Sequence, residues 1–311
     1  MPDRLPLVYH SNYVCPLPEG HRFPMPKFGL VNEILRDEGI AGDDNTFVPE
    51  IADEELLTSV HTQDYVRSFL EGTLSGDAMR RMGLPWSRAL AKRTCTAVGG
   101  TLLTARLSLE HGVACNMAGG THHAHPGFGS GFCIFNDLAV AARTLTQEGE
   151  VSRVLVLDLD VHQGDGTAAA FHDDPSVFTF SMHCQSNFPF RKTPGDMDVG
   201  LPDGMGGDAY LERLARELPV LLDAAGPDLV LYDAGVDVFS GDRLGKLDLS
   251  LSDIAERDRM VFAFFRRRGI PLAGVIGGGY DRDVRALADR HCTLHRSACT
   301  VYGIEALGAS A

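Results

Sequence analysis

Four consecutive apolar residues, Val154-Leu155-Val156-Leu157, run directly into Asp158-Leu-Asp160-Val-His162-Gln163-Gly164-Asp165-Gly166. An unbroken apolar run of that length reads as a strand covered on both faces, which is the habit of parallel sheets. Parallel neighbours need crossover connections, so this run implies an α/β chain with helices on both sides of a sheet. The rest of the sequence agrees. Short apolar runs over 5–9, 113–117, 153–159, 177–182, 228–233 and 271–276 predict strands. Helical periodicity predicts helices over 27–38, 54–70, 87–110, 136–147, 208–224, 251–268 and 281–290, with Pro219 expected to kink or end its helix early. The expected fold is a single-domain, open, doubly wound, mainly parallel sheet over residues 1–311, a length and a 44% hydrophobic content that support one large core.

The polar residues at the end of the 154–157 run are harder to place than the run itself. A buried strand should carry no carboxylates, yet three and an imidazole fall within eight residues. Residues two apart on a strand share a face, so Asp158, Asp160 and His162 line up as the strand runs out. A buried set of this kind needs a cation to offset its desolvation, and N/O donors suit zinc or a similar divalent ion. One Asp-Gly pair would be ordinary turn chemistry; Asp-x-Asp-x-His at a strand end is not. Two further segments fit the same place. Gly119-Gly120-Thr121-His122-His123 follows the 113–117 run, and adjacent histidines suit acid/base work if each has a carboxylate on its far nitrogen. Asp158 and Asp165 are the available partners. Leu229-Val230-Leu231-Tyr232-Asp233-Ala234-Gly235-Val236-Asp237 is another buried strand running into a carboxylate, and Asp237 would complete a three-ligand set with an open position for water and substrate. Every one of these segments lies past the carboxyl end of a predicted strand, where open α/β sheets bind ligands.

The net charge of −14 argues against a nucleic-acid surface, and an acidic exterior suits basic substrates such as lysine-rich segments. Seven cysteines without a Cys-x-x-Cys pair, and a start that goes straight into Leu5-Pro-Leu-Val-Tyr9 with no signal-peptide pattern, fit a reducing cytoplasm. No run approaches a membrane span.

His122-His123, Gly131-Phe132-Cys133, Asp158 to Gly166, Ala234-Gly235-Val236-Asp237 with Gly241-Asp242, and Gly277-Gly278-Gly279-Tyr280 occur in that order. Together they resemble the zinc-dependent histone deacetylase family of the arginase/deacetylase superfamily, across nearly the whole chain. Gln163 in His-Gln-Gly, Gly241-Asp242-Arg243-Leu244-Gly245 and Val98-Gly99-Gly100-Thr101 are similar to the class IV branch. The resemblance implies an amidohydrolase in which a zinc-bound water removes acetyl or longer acyl groups from lysine, with one zinc per chain held by Asp160, His162 and Asp237. It implies His123, oriented by Asp165, as general base; His122, backed by Asp158, as the electrostatic or acid partner; and Tyr280 as donor to the oxyanion. Phe132, after Gly131, and Phe188 resemble two aromatic walls around the acyl-lysine stem, with Phe190 an alternative for the second. Ser181-Met182-His183 resembles a segment that, with Asp158, binds a structural potassium ion. Leu244 stands where polyamine deacetylases of the family place a glutamate, which points to acyl-lysine over an acylated polyamine.

Other readings remain at this stage. A binuclear ureohydrolase wants Asp-x-His-x-Asp and a later Asp-x-Asp, which this chain lacks. A small-molecule amide deacetylase would use the same chemistry, and a non-catalytic acyl-lysine binding module would not need Tyr280 or the histidine pair. The Pro-rich residues 10–28 read as a rim loop. His291, His295 and Cys299 fall at helical spacing and read as ordinary C-terminal helix rather than a metal face.

Overall fold

A computed structural model describes residues 4–305. Eight strands form one sheet, and every pairing in it is parallel: β1 (Leu7–Val8), β2 (Thr46–Phe47), β3 (Val113–Asn116), β4 (Val154–Asp158), β5 (Val177–Cys184), β6 (Met197–Leu201), β7 (Leu229–Asp233) and β8 (Leu272–Val275). Their spatial order is β2-β1-β3-β8-β7-β4-β5-β6. The helices are α1 (Lys27–Asp37), α2 (Glu54–Thr58), α3 (Gln63–Glu71), α4 (Gly76–Met82), α5 (Arg88–His111), α6 (Asp137–Gln147), α7 (Asp165–Phe171), α8 (Gly207–Ala225), α9 (Leu251–Arg266) and α10 (Val284–Tyr302).

The continuous apolar runs are explained by burial on both sides. In β4, Leu155 and Leu157 enter one core while Val154 and Val156 enter another; in β7, Val230 and Tyr232 enter the first, and Leu229 and Leu231 the second. Helices cover both faces, as the sequence implies.

All six expected strands form. The two unexpected ones, β2 and β6, are the edges of the sheet, where alternating or very short segments carry little apolar signal. The single helix expected over 54–70 is two, α2 and α3, with Asp53 capping the first through Leu56 N. Pro219 does not end its helix: α8 runs through it, because Pro219 is exposed and the carbonyl it frees, on Ala215, lies on the exposed face too. The last helix does not stop at 290 but continues to Tyr302, and its second half buries His291, His295 and Cys299. Among the described residues no convergent metal-donor group forms there, and no helix is long and apolar enough to cross a membrane. The seven cysteines are buried and unpaired.

Candidate active site

The central strands β3, β8, β7 and β4 deliver their polar exits to the same edge of the sheet. Asp158 is the last residue of β4, paired in register with Asp233 on one side and Ser181 on the other. Beyond it, Asp160, His162 and Asp237 converge: one donor atom from each lies within 4.8 Å of the others, and all three side chains are buried. Backbone amides fix the carboxylates. Gly278 N donates to Asp160 Oδ2 at 2.7 Å, His162 N to Asp160 Oδ1 at 2.9 Å, and Val161 N to Asp237 Oδ1 at 2.9 Å. A Cβ on Gly278 would run into both carboxylates, so only glycine leaves this space open.

The donor set fits a divalent metal. His162 Nδ1 lies 3.0 Å from Asp160 and 3.1 Å from Asp237. Burial disfavours its charge, but these two carboxylates outweigh burial and raise its pKa to about 10. Asp237 is pushed up to about 7 by burial and then by the charge of Asp160. Two buried carboxylates sharing one imidazole are short of positive charge, and three convergent O and N donors suit a divalent metal such as zinc.

Asp158, aligned with these ligands in sequence, turns instead to His122: its Oδ2 is 2.7 Å from His122 Nδ1. His123 Nδ1 lies 2.6 Å from Asp165 Oδ1, and the two imidazole centroids are 4.1 Å apart. With its Nδ1–H donated to a carboxylate, a neutral imidazole in this pair leaves its Nε2 to accept. Their electrostatics differ. Burial opposes protonation of His122, but Asp158, Asp160 and Asp233 together raise its pKa well above the ordinary value. Burial and then the neighbouring His122 charge lower His123 to about 4, against the pull of Asp165.

Three participants were not foreseen. His125 Nε2, 3.0 Å from Asp165 Oδ2, holds the far side of that carboxylate. Asp233 is fully buried, and among the described residues neither of its oxygens has a hydrogen-bond partner. It stands 3.8 Å from His122 Nδ1 and forms with His122 and Asp158 a second converging group of donors. Burial, and then the charge of Asp158, holds its carboxyl well above the usual range. Arg257, fully buried on α9, donates to the carbonyls of Leu159 (3.3 Å), Gly235 (2.6 Å) and Ala234 (3.1 Å) and pairs with Asp258 at 2.9 Å. It therefore ties the two loops that carry the ligands. The motif residue Asp242 also has a structural task, accepting from Tyr280 N (2.6 Å), Leu244 N (2.8 Å) and Gly245 N (3.0 Å).

Above the ligands opens a pocket of about 420 Å³, lined by residues that include His123, Gly131, Phe132, His162, Phe188 and Tyr280. The Phe188 ring meets His123 edge-on at 4.9 Å, and the Phe132 ring lies 5.8 Å from that of Tyr280. Phe190 stands at the outer lip, 89% exposed, so the inner wall is Phe188. Gly131 is needed where it is: a Cβ there would lie 2.6 Å from His123 Cδ2. Phe132 adopts the left-handed region at φ 67°, a backbone conformation that costs of order 1 kcal/mol outside glycine and is held here by its N–H donating to Met82 O at 2.8 Å. Leu244 also lines the pocket, its backbone carbonyl accepting from Asn187 Nδ2. Asp158 and Ser181 share a separate small cavity with Gly164, Thr167 and Asp198. Gln163 does not face the main pocket; its side-chain amide is spent on Thr193 O and Asp198 Oδ1, both at 2.8 Å.

Residues 21–295 match the histone deacetylase domain. The chain is 55% identical over 297 residues to an uncharacterized protein of Picosynechococcus, covering 96% of this chain and 99% of that one. It is 31% identical to Histone deacetylase 2 of Arabidopsis thaliana, covering 94% and 79% of the two chains, and 31% identical to the acetoin utilization protein AcuC of Staphylococcus aureus, covering 76% and 66%. Among solved structures it resembles a histone deacetylase homologue from Aquifex aeolicus with a TM-score of 0.79 at 26% identity, covering 97% of this chain and 85% of that one. A histone deacetylase homologue complexed with SAHA gives 0.80 at the same identity and coverage.

Proposed function

This chain belongs to the histone deacetylase family of hydrolases, and from that premise we propose that it is a zinc-dependent amidohydrolase that removes acyl groups from lysine side chains. The observation that carries the proposal is the convergence of Asp160, His162 and Asp237 beneath a pocket whose inner lining holds His123 and Tyr280.

Asp160, His162 and Asp237 would hold the zinc, which when bound supplies Lewis acidity toward the acyl carbonyl and toward a water. The chain's own residues do the rest. Phe132 and Phe188 flank the methylene stem and keep water from it. His123 Nε2, with Nδ1 held by Asp165, accepts the proton of the attacking water. Tyr280 Oη–H donates to the oxygen of the acyl carbonyl as negative charge develops there. His122, with Asp158 and Asp233 behind it, places positive charge beside that oxygen. When the C–N bond breaks, the proton taken by His123 passes to the departing nitrogen, and the acid's proton follows, leaving a carboxylate and a lysine ammonium.

Acyl-lysine is favoured over an acylated polyamine because Leu244 offers no charge and no Asp or Glu lines the pocket. The homologue complexed with SAHA, an acyl-lysine mimic, supports an acylated amine as substrate. The class IV resemblance extends the proposal to acyl chains longer than acetyl, and Asp158 with Ser181 is the proposed potassium site. The test is kcat/KM for acetyl-lysine peptides, medium- and long-chain acyl-lysine peptides and acetylpolyamines on one zinc-loaded preparation. A preference for any acetylpolyamine over every acyl-lysine would overturn the proposed substrate class.

A further inference from the structure

The chain has 42 acidic and 28 basic residues, yet the pocket mouth reverses that balance. Of its thirteen lining residues, Arg22, Arg81 and Lys246 are cationic and none is an Asp or Glu. The acidic exterior that suits basic substrates does not extend to the place where substrate enters.

The three cations are not equivalent. Lys246 Nζ is already engaged, 2.8 Å from Ser186 Oγ and 3.6 Å from Asp203. Arg22 and Arg81 are exposed, and among the described residues neither makes an ion pair; Arg80, next to Arg81, pairs with Asp77. Each free guanidinium lies over an aromatic ring, Arg22 Cζ 4.9 Å from the Phe132 centroid and Arg81 Cζ 4.7 Å from that of Phe128. Such packing orients the group while leaving its N–H donors to meet an anion. Both belong to one wall: the segments that carry them are joined by His21 Nε2 and Gly83 O at 3.1 Å, and Phe132 N donates to Met82 O.

We propose that the substrate carries a carboxylate close to its acylated amine and that Arg22 and Arg81 receive it. The inference rests on the acyl-lysine reading of the site. Its reach is set by the rings: Arg22 lies 4.9 Å from Phe132, and Phe132 is 5.8 Å from Tyr280, so Arg22 stands roughly one lysine side chain, ~6 Å, or somewhat more from Tyr280, with Arg81 on the same wall. That is where the α-carboxylate of a chain-terminal acyl-lysine falls, or the side chain of an acidic neighbour. An Arg pair suits a carboxylate of either origin.

Binding, rather than turnover, tests this. The probes are acetyl-lysine peptides with amidated ends and either aspartate, glycine or lysine flanks, and a glycine-flanked peptide ending in acetyl-lysine with a free carboxylate. Affinities are measured by calorimetry at low and high salt on the zinc-loaded Tyr280→Phe protein, whose slow turnover leaves the peptides intact, and hydrolysis is followed separately on the parent protein. Two exposed ion pairs are expected to favour an anionic peptide about fivefold to tenfold over the neutral amide, with the lysine-flanked peptide weakest and the differences shrinking in salt. Whether the aspartate flanks or the free carboxylate produces the gain identifies the source of the anion. The Arg22→Gln/Arg81→Gln protein should lose the discrimination, and Arg22→Lys/Arg81→Lys should retain most of it. Equal affinity for all four peptides, or discrimination that survives in the double glutamine variant, overturns the inference. Discrimination in binding without hydrolysis of any peptide would uphold the anion site and sink the amidohydrolase reading instead.

Discussion

Replacing Arg257 should damage the fold and the site together. Its guanidinium is completely buried, pairs with a buried Asp258, and serves three carbonyls on the ligand-bearing loops. Arg257→Met keeps much of the volume but strands the Asp258 carboxylate, whose remaining donor is the Tyr232 hydroxyl. Breaking a buried pair from one side costs about 3–5 kcal/mol, and three carbonyls losing a charged donor add about 1 kcal/mol or more even if they partly relax. The expected loss is therefore about 4–6 kcal/mol, a large fraction of a typical domain's stability. Urea unfolding followed by fluorescence would show the midpoint fall. Arg257→Met combined with Asp258→Asn should recover roughly half, because the uncompensated charge is then gone. Zinc affinity should weaken as well, since the carbonyls of Leu159 and Gly235 hold the loops on which Asp160 and Asp237 sit. A loss below about 1 kcal/mol for Arg257→Met, or no recovery in the double variant, would refute this account of the pair.

Tyr280→Phe should keep fold and metal and lower kcat by ~100–1,000-fold with little change in KM; unchanged turnover on an acetyl-lysine peptide would remove Tyr280 from the oxyanion. In Asp160→Ala, added zinc should no longer raise the thermal midpoint as it does in the parent protein, and retention of that shift would show the ligands to be elsewhere. Burial lowers His61 and His295 to about 4 in the folded chain, against about 6.5 when unfolded. The unfolded state then binds more protons as the solution is acidified, so their stabilising effect is complete above pH ~6.5 and is lost as pH falls toward 4, by about 2 kcal/mol per histidine at pH 5. The change in urea midpoint between pH 7.5 and pH 5.0 should be less unfavourable in His61→Gln than in the parent protein, and identical changes in the two would contradict this.

What sequence revealed and what it hid follow the reach of each signal. The six inner strands are visible because burial on both faces favours apolar runs. β6, Met-Asp-Val-Gly-Leu, lies at an edge with alternating exposure and has no such run. The second half of α10 looks polar because His291, His295 and Cys299 sit in its buried stripe. The ligand and histidine-pair residues cluster in short motifs, so spacing alone brings them to notice, and the structure brings all of them together. Arg257 is 98 residues from the carbonyl it holds at Leu159, and no local pattern links them. Asp233 hides in an apolar run, and His125 beside a more conspicuous pair. The rim cations come from segments about sixty residues apart, each unexceptional alone, so their shared wall emerges only from the fold.

The strand order has a consequence for how the molecule comes into being. Read along the sheet, β3 and β4 are separated by β8 and β7, which are the last two strands among the described residues. A ribosome that has delivered everything through β6 has produced two three-stranded ribbons, β2-β1-β3 and β4-β5-β6, with no hydrogen-bonded strand between them. Each presents an open inner border to the other. The histidine pair then rides on one ribbon and Asp160 and His162 on the other, while Asp237, Tyr280 and the two strands that join the ribbons are still to come. Only when residues 229–275 arrive and insert as a wedge do the borders close. That step brings Asp237 and the Gly277–Tyr280 turn into place, so completion of the sheet and assembly of the site are a single event.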